Sequence, residues 1–453
     1  MINLAILLLL VVGIVLATAR WKISPFLALM GAAILGAFMY RLPLAEIVPT
    51  ITASFGGTLG NIGLVILFGT MIGVVLERSG AAIAMAEGLI KVLGTRFPNL
   101  TMSLIGYIVS IPVFCDSGYV ILNSLRKAIT VRTGVSALAT SIALMTGLYA
   151  THTLVPPTPG PLAAAENLGV TSDLGMIIML GLPVALVAAI AGLVFASLHS
   201  RKEFTPLPAE TETDISDQSY DELRASYGRL PNGFLAFFPI LLPLILICVG
   251  SIVQLPSRPI GNGFAFEILA FVGTPVIALA IGLLASVTLL RGHGKLARFN
   301  EQMYDAVRLA GPILLITGAG AAFGGVLAAS PLTDFLSVSL SNLGLGLAVP
   351  FLIAAALKTA QGSSTVSIVS TSAMLAPMLG SLGLASTEGM VLSVLAIGAG
   401  AMVVSHANDS YFWVVSQLSR IPVATAYRTL TLATLIEGVA AFVAVWVLGL
   451  FLL

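Results

Sequence analysis

Long apolar stretches alternate with short polar ones along this chain. Ile2 to Ala19, Ile177 to Leu198, Phe234 to Val253, Ile268 to Leu290 and Thr429 to Leu453 each run about 18 residues or more, enough as helix to cross a hydrocarbon layer of roughly 30 Å. The only long hydrophilic segment, His199 to Asn232, contains "AETETDISDQSYDEL" and divides the chain nearly in half. The pattern predicts an all-α polytopic membrane protein: a first membrane half over 1–198, a cytoplasmic loop over 199–232 and a second membrane half over 233–453.

Within each half the apolar pattern falters twice. Residues of about 99–134 are interrupted by "IPVFCDSGY" and about 349–380 by "KTAQGSSTV", which predicts two re-entrant hairpins. Two spans, over about 135–170 and about 388–420, are broken by "THTLVPPTPGP" and "SHANDSYFW". Irregular backbone at membrane depth is tolerated only where it is buried in protein or lines a wet cavity. Broken helices in matching places of two halves point to a transport site, because half-helix N-termini offer unpaired N–H groups and a positive dipole end to an anion.

The basic residues set the orientation. Arg20, Lys22, Arg78, Lys91, Arg96, Arg126, Lys127, Arg132, Arg201, Lys202, Arg291, Lys295, Arg298, Arg420 and Arg428 fall on one side if spans alternate from an external N-terminus; Arg41 and Arg258 fall on the other. By the excess of Lys and Arg the first side is the cytoplasm. The first apolar run ends Ala17-Thr18-Ala19, but the basic residues follow rather than precede it, as in a retained anchor. Gly69, Gly73, Leu76 and Ser79 recur at the same spacing as Gly320, Gly324, Leu327 and Ser330, with His152 and His406 downstream of the respective copies. The charge argument runs the copies in opposite directions, so the expected fold is two inverted-topology repeats. Small residues every four positions also suit ordinary close packing of membrane helices.

Composition agrees. Of 453 residues 58% are hydrophobic and 9% charged, with mean hydropathy +1.05; that is too little polar surface to coat a soluble globule of this size. Cys115 and Cys248 lie far apart in apolar context and suggest neither a disulfide framework nor a metal cluster. The net charge of +1 and the lack of a basic patch with interleaved aromatics give no sign of a nucleic-acid partner. No GxxxxGK[ST] motif points to nucleotide hydrolysis.

The candidate chemistry sits at the four interruptions. Asp116, ahead of Ser117 and Gly118 at the first hairpin tip, is a carboxyl costly to ionise at membrane depth and therefore able to carry a proton; the competing reading is a cap for a helix starting at Tyr119. Gly362, Ser363, Ser364 and Thr365 form the second tip and offer backbone and hydroxyl donors to a carboxylate or polyol, unless the hydroxyls bond back to the preceding turn. Lys358 is a cation able to pair with an anionic substrate, or to snorkel to the external interface. His152 and His406 occupy matching breaks and suit proton shuttling. Asn408 and Asp409 can orient a hydroxylated ligand, or cap the half-helix that follows. Glu87, Lys91, Asp305 and Glu437 read as interfacial or helix-end charges.

Together "SFGGTLGNIG", "ATHTLVPPTPGP", "TAQGSSTVS" and "SHANDSYFW" resemble the gluconate permease family of proton symporters, within the larger ion transporter superfamily. The resemblance covers nearly the whole chain and is weak only in the first forty residues and the central loop. It implies a multi-pass protein of the inner (cytoplasmic) membrane that takes up a small organic anion such as gluconate or another sugar acid, or a related small hydroxy or amino acid, with protons and without a cofactor. It further implies a homodimer with a scaffold and an elevator-like transport part. Carried over by position, Asp116 matches the family's acidic hairpin residue, His152 and His406 its recurrent histidines, Gly362 to Thr365 its Gly-Ser-x-Thr tip and Asn408-Asp409 its Asn-Asp pair. Thr158 stands where relatives often have a second His, and Lys358 where an Arg is common, exchanging a bidentate fork for a point charge. Two other readings remain: a sodium-coupled carrier for an organic anion or a D-serine-like amino acid on the same fold, and, remotely, an intramembrane metalloenzyme using His152, His406, Asp116 and Asp409, for which no HExxH pairing exists.

Overall fold

The computed structural model describes residues 2–94, 96–200, 220–254, 261, 263–290, 295–331, 346–406 and 409–453. The described residues form helices and connections without a strand. The helices are α1 (Ile2–Val15), α2 (Pro25–Met39), α3 (Leu44–Arg78), α4 (Ala81–Leu93), α5 (Pro98–Val109), α6 (Cys115–Thr133), α7 (Ala137–Leu154), α8 (Pro159–Asn167), α9 (Leu174–Ser197) and α10 (Tyr220–Ser226) in the first part. They continue with α11 (Gly233–Val253), α12 (Phe264–Val272), α13 (Pro275–Ser286), α14 (Lys295–Ala328), α15 (Ala348–Gln361), α16 (Ser364–Leu375), α17 (Thr387–Gly400), α18 (Ser410–Leu418) and α19 (Val423–Leu452).

Proline starts several of them. Pro25, Pro98, Pro159 and Pro275 stand in the first turn of α2, α5, α8 and α13, where a missing N–H costs nothing. Gly134 ends α6 with φ 70° and Gly362 ends α15 with φ 88°, a left-handed turn that a side chain would strain. Four described helical stretches are long and apolar enough to cross a membrane: Ala137–Asn167, Thr171–Ser197, Lys295–Ala328 and Val423–Leu452. The last three carry exposed leucine, valine or isoleucine on their outer faces, as a lipid-facing surface requires, whereas Ala137–Asn167 is buried throughout its apolar length. This is an integral membrane protein. The expected span Ile268 to Leu290 is not one helix: α12 and the helix after it meet at 69°. Gly273, at the bend, lies so close to Gly250 of α11 that a Cβ on it would come within 2.4 Å of the Gly250 Cα.

Packing gathers the helices into two groups. In the first, α3 and α14, 35 and 34 residues long, lie side by side, with α2 on α14 and α13 on α3. Arg78, at the end of α3, reaches Asp305 near the start of α14 at 3.1 Å, so the two run antiparallel. In the second, α5 packs on α7, α7 on α9, α15 on α17, α17 on α19 and α9 on α19. Every residue of α7 from Leu138 to Leu154 is buried, at the centre of a bundle, and the hydroxyls of Ser141, Thr146 and Thr153 are satisfied by bonding back to the preceding turn. Backbones touch within this group: a Cβ on Gly147 would come within 2.1 Å of the Ser103 carbonyl, and one on Gly400 within 2.3 Å of the Phe351 carbonyl. In the hydrophilic segment, α10 docks on α4, with the Tyr220 hydroxyl donating to Glu87 at 2.6 Å and Arg224 at 2.8 Å. Burial and that hydrogen bond push the Tyr220 phenol up.

Candidate transport site

The chain reverses at Ser110–Phe114 between α5 and α6, where the Ser110 hydroxyl donates to the Val113 carbonyl at 2.9 Å. It reverses again at Gly362–Ser363 between α15 and α16, where Ser363 caps α16 by accepting the Val366 N–H at 3.3 Å. Two further helices are interrupted: α7 gives way to α8 over 155–158, and α17 to α18 over 401–409. The interrupted elements interlock. The second arm of the first hairpin, α6, packs on α18, and the second arm of the second hairpin, α16, packs on α8. The Tyr119 hydroxyl and Ser419 Oγ are 2.7 Å apart on the first of these pairs, and a Cβ on Gly160 would meet Ile368 at 2.8 Å on the second. Helices α6, α8, α16 and α18 thus all begin near the interruptions; the N-terminal N–H groups of α6, α16 and α18 are partners for an anion, while Pro159 and Pro161 leave α8 few to offer.

Lys358 and Asp409 form the charged centre. Lys358 Nζ lies 2.5 Å from Asp409 Oδ2 and 2.5 Å from the Gly362 carbonyl, with no exposed side-chain surface. It also stands 5.7 Å from the Tyr149 ring centroid. The alternative of a snorkelling lysine is therefore excluded: the ammonium turns inward onto a carboxylate. Asp409 caps α18 by accepting the Tyr411 N–H at 3.0 Å and also takes a hydrogen bond from the Ser405 hydroxyl. Capping and ion pairing are both duties of this one carboxylate.

Around the pair, the Tyr149 hydroxyl donates to Ser364 Oγ at 3.4 Å and to the Ala401 carbonyl at 3.3 Å, joining α7 to the second tip and the second break. His406 Nε2 lies 2.8 Å from the Thr359 carbonyl. His152 is buried, its ring 5.8 Å from that of Phe114, and its Nδ1 has no partner among the described residues. Asp116 lies within the first turn of α6, which starts at Cys115 rather than Tyr119, so it does not cap a helix at Tyr119. It is half-buried and accepts from Ser410 at 3.4 Å, which ties the first hairpin tip to the start of α18. Ser117 is half-buried on the side of Glu77 of α3. Gly118 is a packing position: a Cβ there would meet Leu148 at 2.7 Å. Thr365 is half-buried beside Ser364. Asn408 lies outside the described residues.

Glu437, read from sequence as an interfacial or helix-end charge, is neither. It is fully buried midway along α19, and neither carboxylate oxygen has a hydrogen-bond partner among the described residues. The structure adds Tyr149, Tyr411, Ser405 and Thr434 to the site; of these, Tyr149 carries a sequence signal, one helical turn before His152 on the same face. Among the described residues no group of three or more His, Cys, Asp and Glu side chains gathers as a metal site would require.

The sequence profile of the GntP family permeases matches residues 2–451. The chain belongs to the GntP permease family. An uncharacterized permease of Haemophilus influenzae is 35% identical over 423 residues, 92% of this chain and 85% of the relative. The gluconate permease of Pseudomonas aeruginosa is 32% identical over 449 residues, 98% and 96% of the two chains. The D-serine transporter DsdX of Escherichia coli is 33% identical over 450 residues, 98% and 97%. In fold, this GntP family chain is similar to the crystal structure of the Alcanivorax borkumensis YdaH transporter, with TM-score 0.64, 16% identity and 90% of each chain covered. It is thus a transporter rather than an enzyme, and the hairpins, breaks and buried ion pair belong to a permease.

Proposed function

We propose that this permease takes up gluconate or a related small hydroxy or sugar acid with protons, as a multi-pass protein of the inner membrane. The observation that carries the reading is the buried Lys358–Asp409 pair at the meeting point of two hairpin tips and two helix breaks. A carboxylate substrate entering there finds an ammonium, the N-termini of α6, α16 and α18 and the hydroxyls of Ser363, Ser364 and Thr365, and it competes with Asp409 for Lys358. Ser117, Gly362 and Asn408 complete the expected lining, whereas Gly118 packs against Leu148. Asp116, half-exposed at the first tip, exchanges the coupled proton with water; His152, His406 and Asp409 are the other titratable groups of the site.

The same reading makes the two halves inverted repeats. In its support, α5–α6, α7–α8 and α9 recur in order as α15–α16, α17–α18 and α19, and the glycine-bearing α3 and α14 run antiparallel. The group around α3 and α14 is the scaffold, through which two copies of the chain associate, and the interlocked group is the part that moves, elevator fashion. The D-serine transporter among the relatives favours a second substrate reading, since a small amino acid brings the same carboxylate.

A thermal-shift panel on detergent-solubilised protein tests the substrate class. A bound ligand at 100 times its Kd stabilises by about 2.7 kcal/mol. Gluconate, other aldonates, glycerate or lactate should raise the melting point, and a response to D-serine alone selects the second reading. Stabilisation by dicarboxylates and by none of these would remove both.

A further inference from the structure

The site described above leaves one buried acid unused. Glu437 is the fifteenth of the thirty residues of α19, about 21 Å from either end at the rise of an α-helix. It lies in a stripe of buried small residues that includes Ala433, Gly438 and Ala441. The packing is tight: a Cβ on the neighbouring Gly438 would come within 2.8 Å of the Ala399 carbonyl and 2.6 Å of Val403. One turn earlier on the same helix, Thr434 accepts the Ser405 N–H at 3.0 Å, and Thr431 donates to the Ser405 carbonyl at 2.6 Å. Glu437 therefore sits directly behind the second helix break, whose Ser405 holds Asp409.

No cation faces it. From α7 the titratable groups are Tyr149 and His152, and from α18 Tyr411; α9 presents none, and α17 has only Glu388 in its first turn. Lys358, the nearest cation of the site, is already bonded to Asp409. The charge of Glu437 would be felt by both the Tyr149 and Tyr411 phenols. Tyr149 is also within electrostatic reach of Asp409, and Tyr411 of Asp116. An ionised carboxylate in such a place, with neither hydrogen bond nor counter-charge among the described residues, is too costly to persist, so the group is a neutral acid.

We infer that Glu437 is an internal proton-binding site of the permease, holding a proton behind the Lys358–Asp409 centre while the transport part crosses the membrane. The inference rests on the proton-coupled reading. It assigns Asp116 the exchange with water and Glu437 the storage. A purely structural Glu437 would serve equally well as its amide.

The test uses the full-length protein in proteoliposomes, with gluconate and D-serine as probes and two assays: accumulation driven by a pH gradient and counterflow without one. Glu437→Gln should lose gradient-driven accumulation and keep counterflow, and Glu437→Asp should recover part of the accumulation. Infrared difference spectra across a pH titration should show a protonated-carboxyl band in the wild type that Glu437→Gln removes, a readout independent of substrate. Wild-type accumulation by Glu437→Gln, loss of counterflow along with accumulation, or an unchanged carboxyl band overturns the inference while leaving the proton-coupled reading intact. A wild type that ignores the pH gradient overturns both.

Discussion

Lys358 Nζ and Asp409 Oδ2 are 2.5 Å apart, with side chains 0% and 6% exposed, and they come from the second hairpin and the second helix break. A buried pair of this kind is a modest source of stability when intact. Losing one partner is another matter, because the survivor keeps its desolvation cost.

Asp409→Asn should therefore destabilise the permease by about 3 to 5 kcal/mol, and Lys358→Met by a similar amount. Joined in one chain, the two changes should cost less than their sum, since neither leaves a lone charge. Denaturation in detergent completes the cycle. Strict additivity would mean that the two groups do not act as a pair.

Substrate hydroxyls and carboxylate are expected at the second tip. The double change Ser364→Ala with Asn408→Ala should abolish saturable uptake while leaving the protein inserted, at about 1 to 3 kcal/mol for each ligand group left unpaired. An unchanged apparent affinity would move the site away from this tip.

The glycine seams make a prediction about motion. Gly73 of α3 faces the first hairpin at its tip, where a Cβ would lie 2.6 Å from the Pro112 carbonyl. Its counterpart Gly324 faces the second hairpin at Ala373, ten residues beyond Ser363, with a Cβ 2.6 Å from the Ala373 carbonyl. Ten helical residues are about 15 Å. If the halves are inverted repeats, the opposite state exchanges these depths. Gly320 now faces Val369, five residues into α16 from Ser364, so Gly69 should then face Val120, five residues into α6 from Cys115. Cysteines at 69 and 120 should cross-link during turnover and stop uptake. Failure to cross-link under any substrate or pH condition would argue against an exchange of this size.

Orientation follows from the basic residues. In a background lacking Cys115 and Cys248, a cysteine at Gly263 should react with an impermeant reagent in intact cells, and one at Asp221 should be protected. The reverse pattern would invert the molecule and with it the assignment of the two hairpins.

The interruptions were legible in the sequence because proline, glycine and polar residues cannot continue an apolar helix without leaving a mark. "THTLVPPTPGP" and "SHANDSYFW" coincide with the breaks after α7 and α17. Partnerships were not legible, because they are made across the chain. Lys358 is 51 residues from Asp409, and Tyr149 is 215 from Ser364, so nothing local distinguishes an inward-turned lysine from a snorkelling one. Glu437 was misread for a geometric reason: its apolar run starts at Thr429, but the helix starts at Val423, which shifts the carboxyl to mid-helix. Gly118 looked like a ligand contact and is a helix-packing position against Leu148. The bend at Gly273 left little trace because its cause, the close approach to Gly250, lies in another helix.

The coupling ion can be probed first at Asp116. Asp116→Asn keeps the shape of the carboxyl and loses its titration. Accumulation driven by a pH gradient should vanish in this variant while counterflow survives, because exchange moves no net proton. A full response to the gradient in Asp116→Asn would take the exchange function from this residue.

Gluconate accumulation by the wild-type protein in proteoliposomes, under an inward proton gradient and separately under an inward sodium gradient at symmetrical pH, decides the matter most directly. Accumulation should follow the proton gradient, collapse when a protonophore is added and be indifferent to sodium. Accumulation that follows the sodium gradient and ignores the proton gradient would contradict the account.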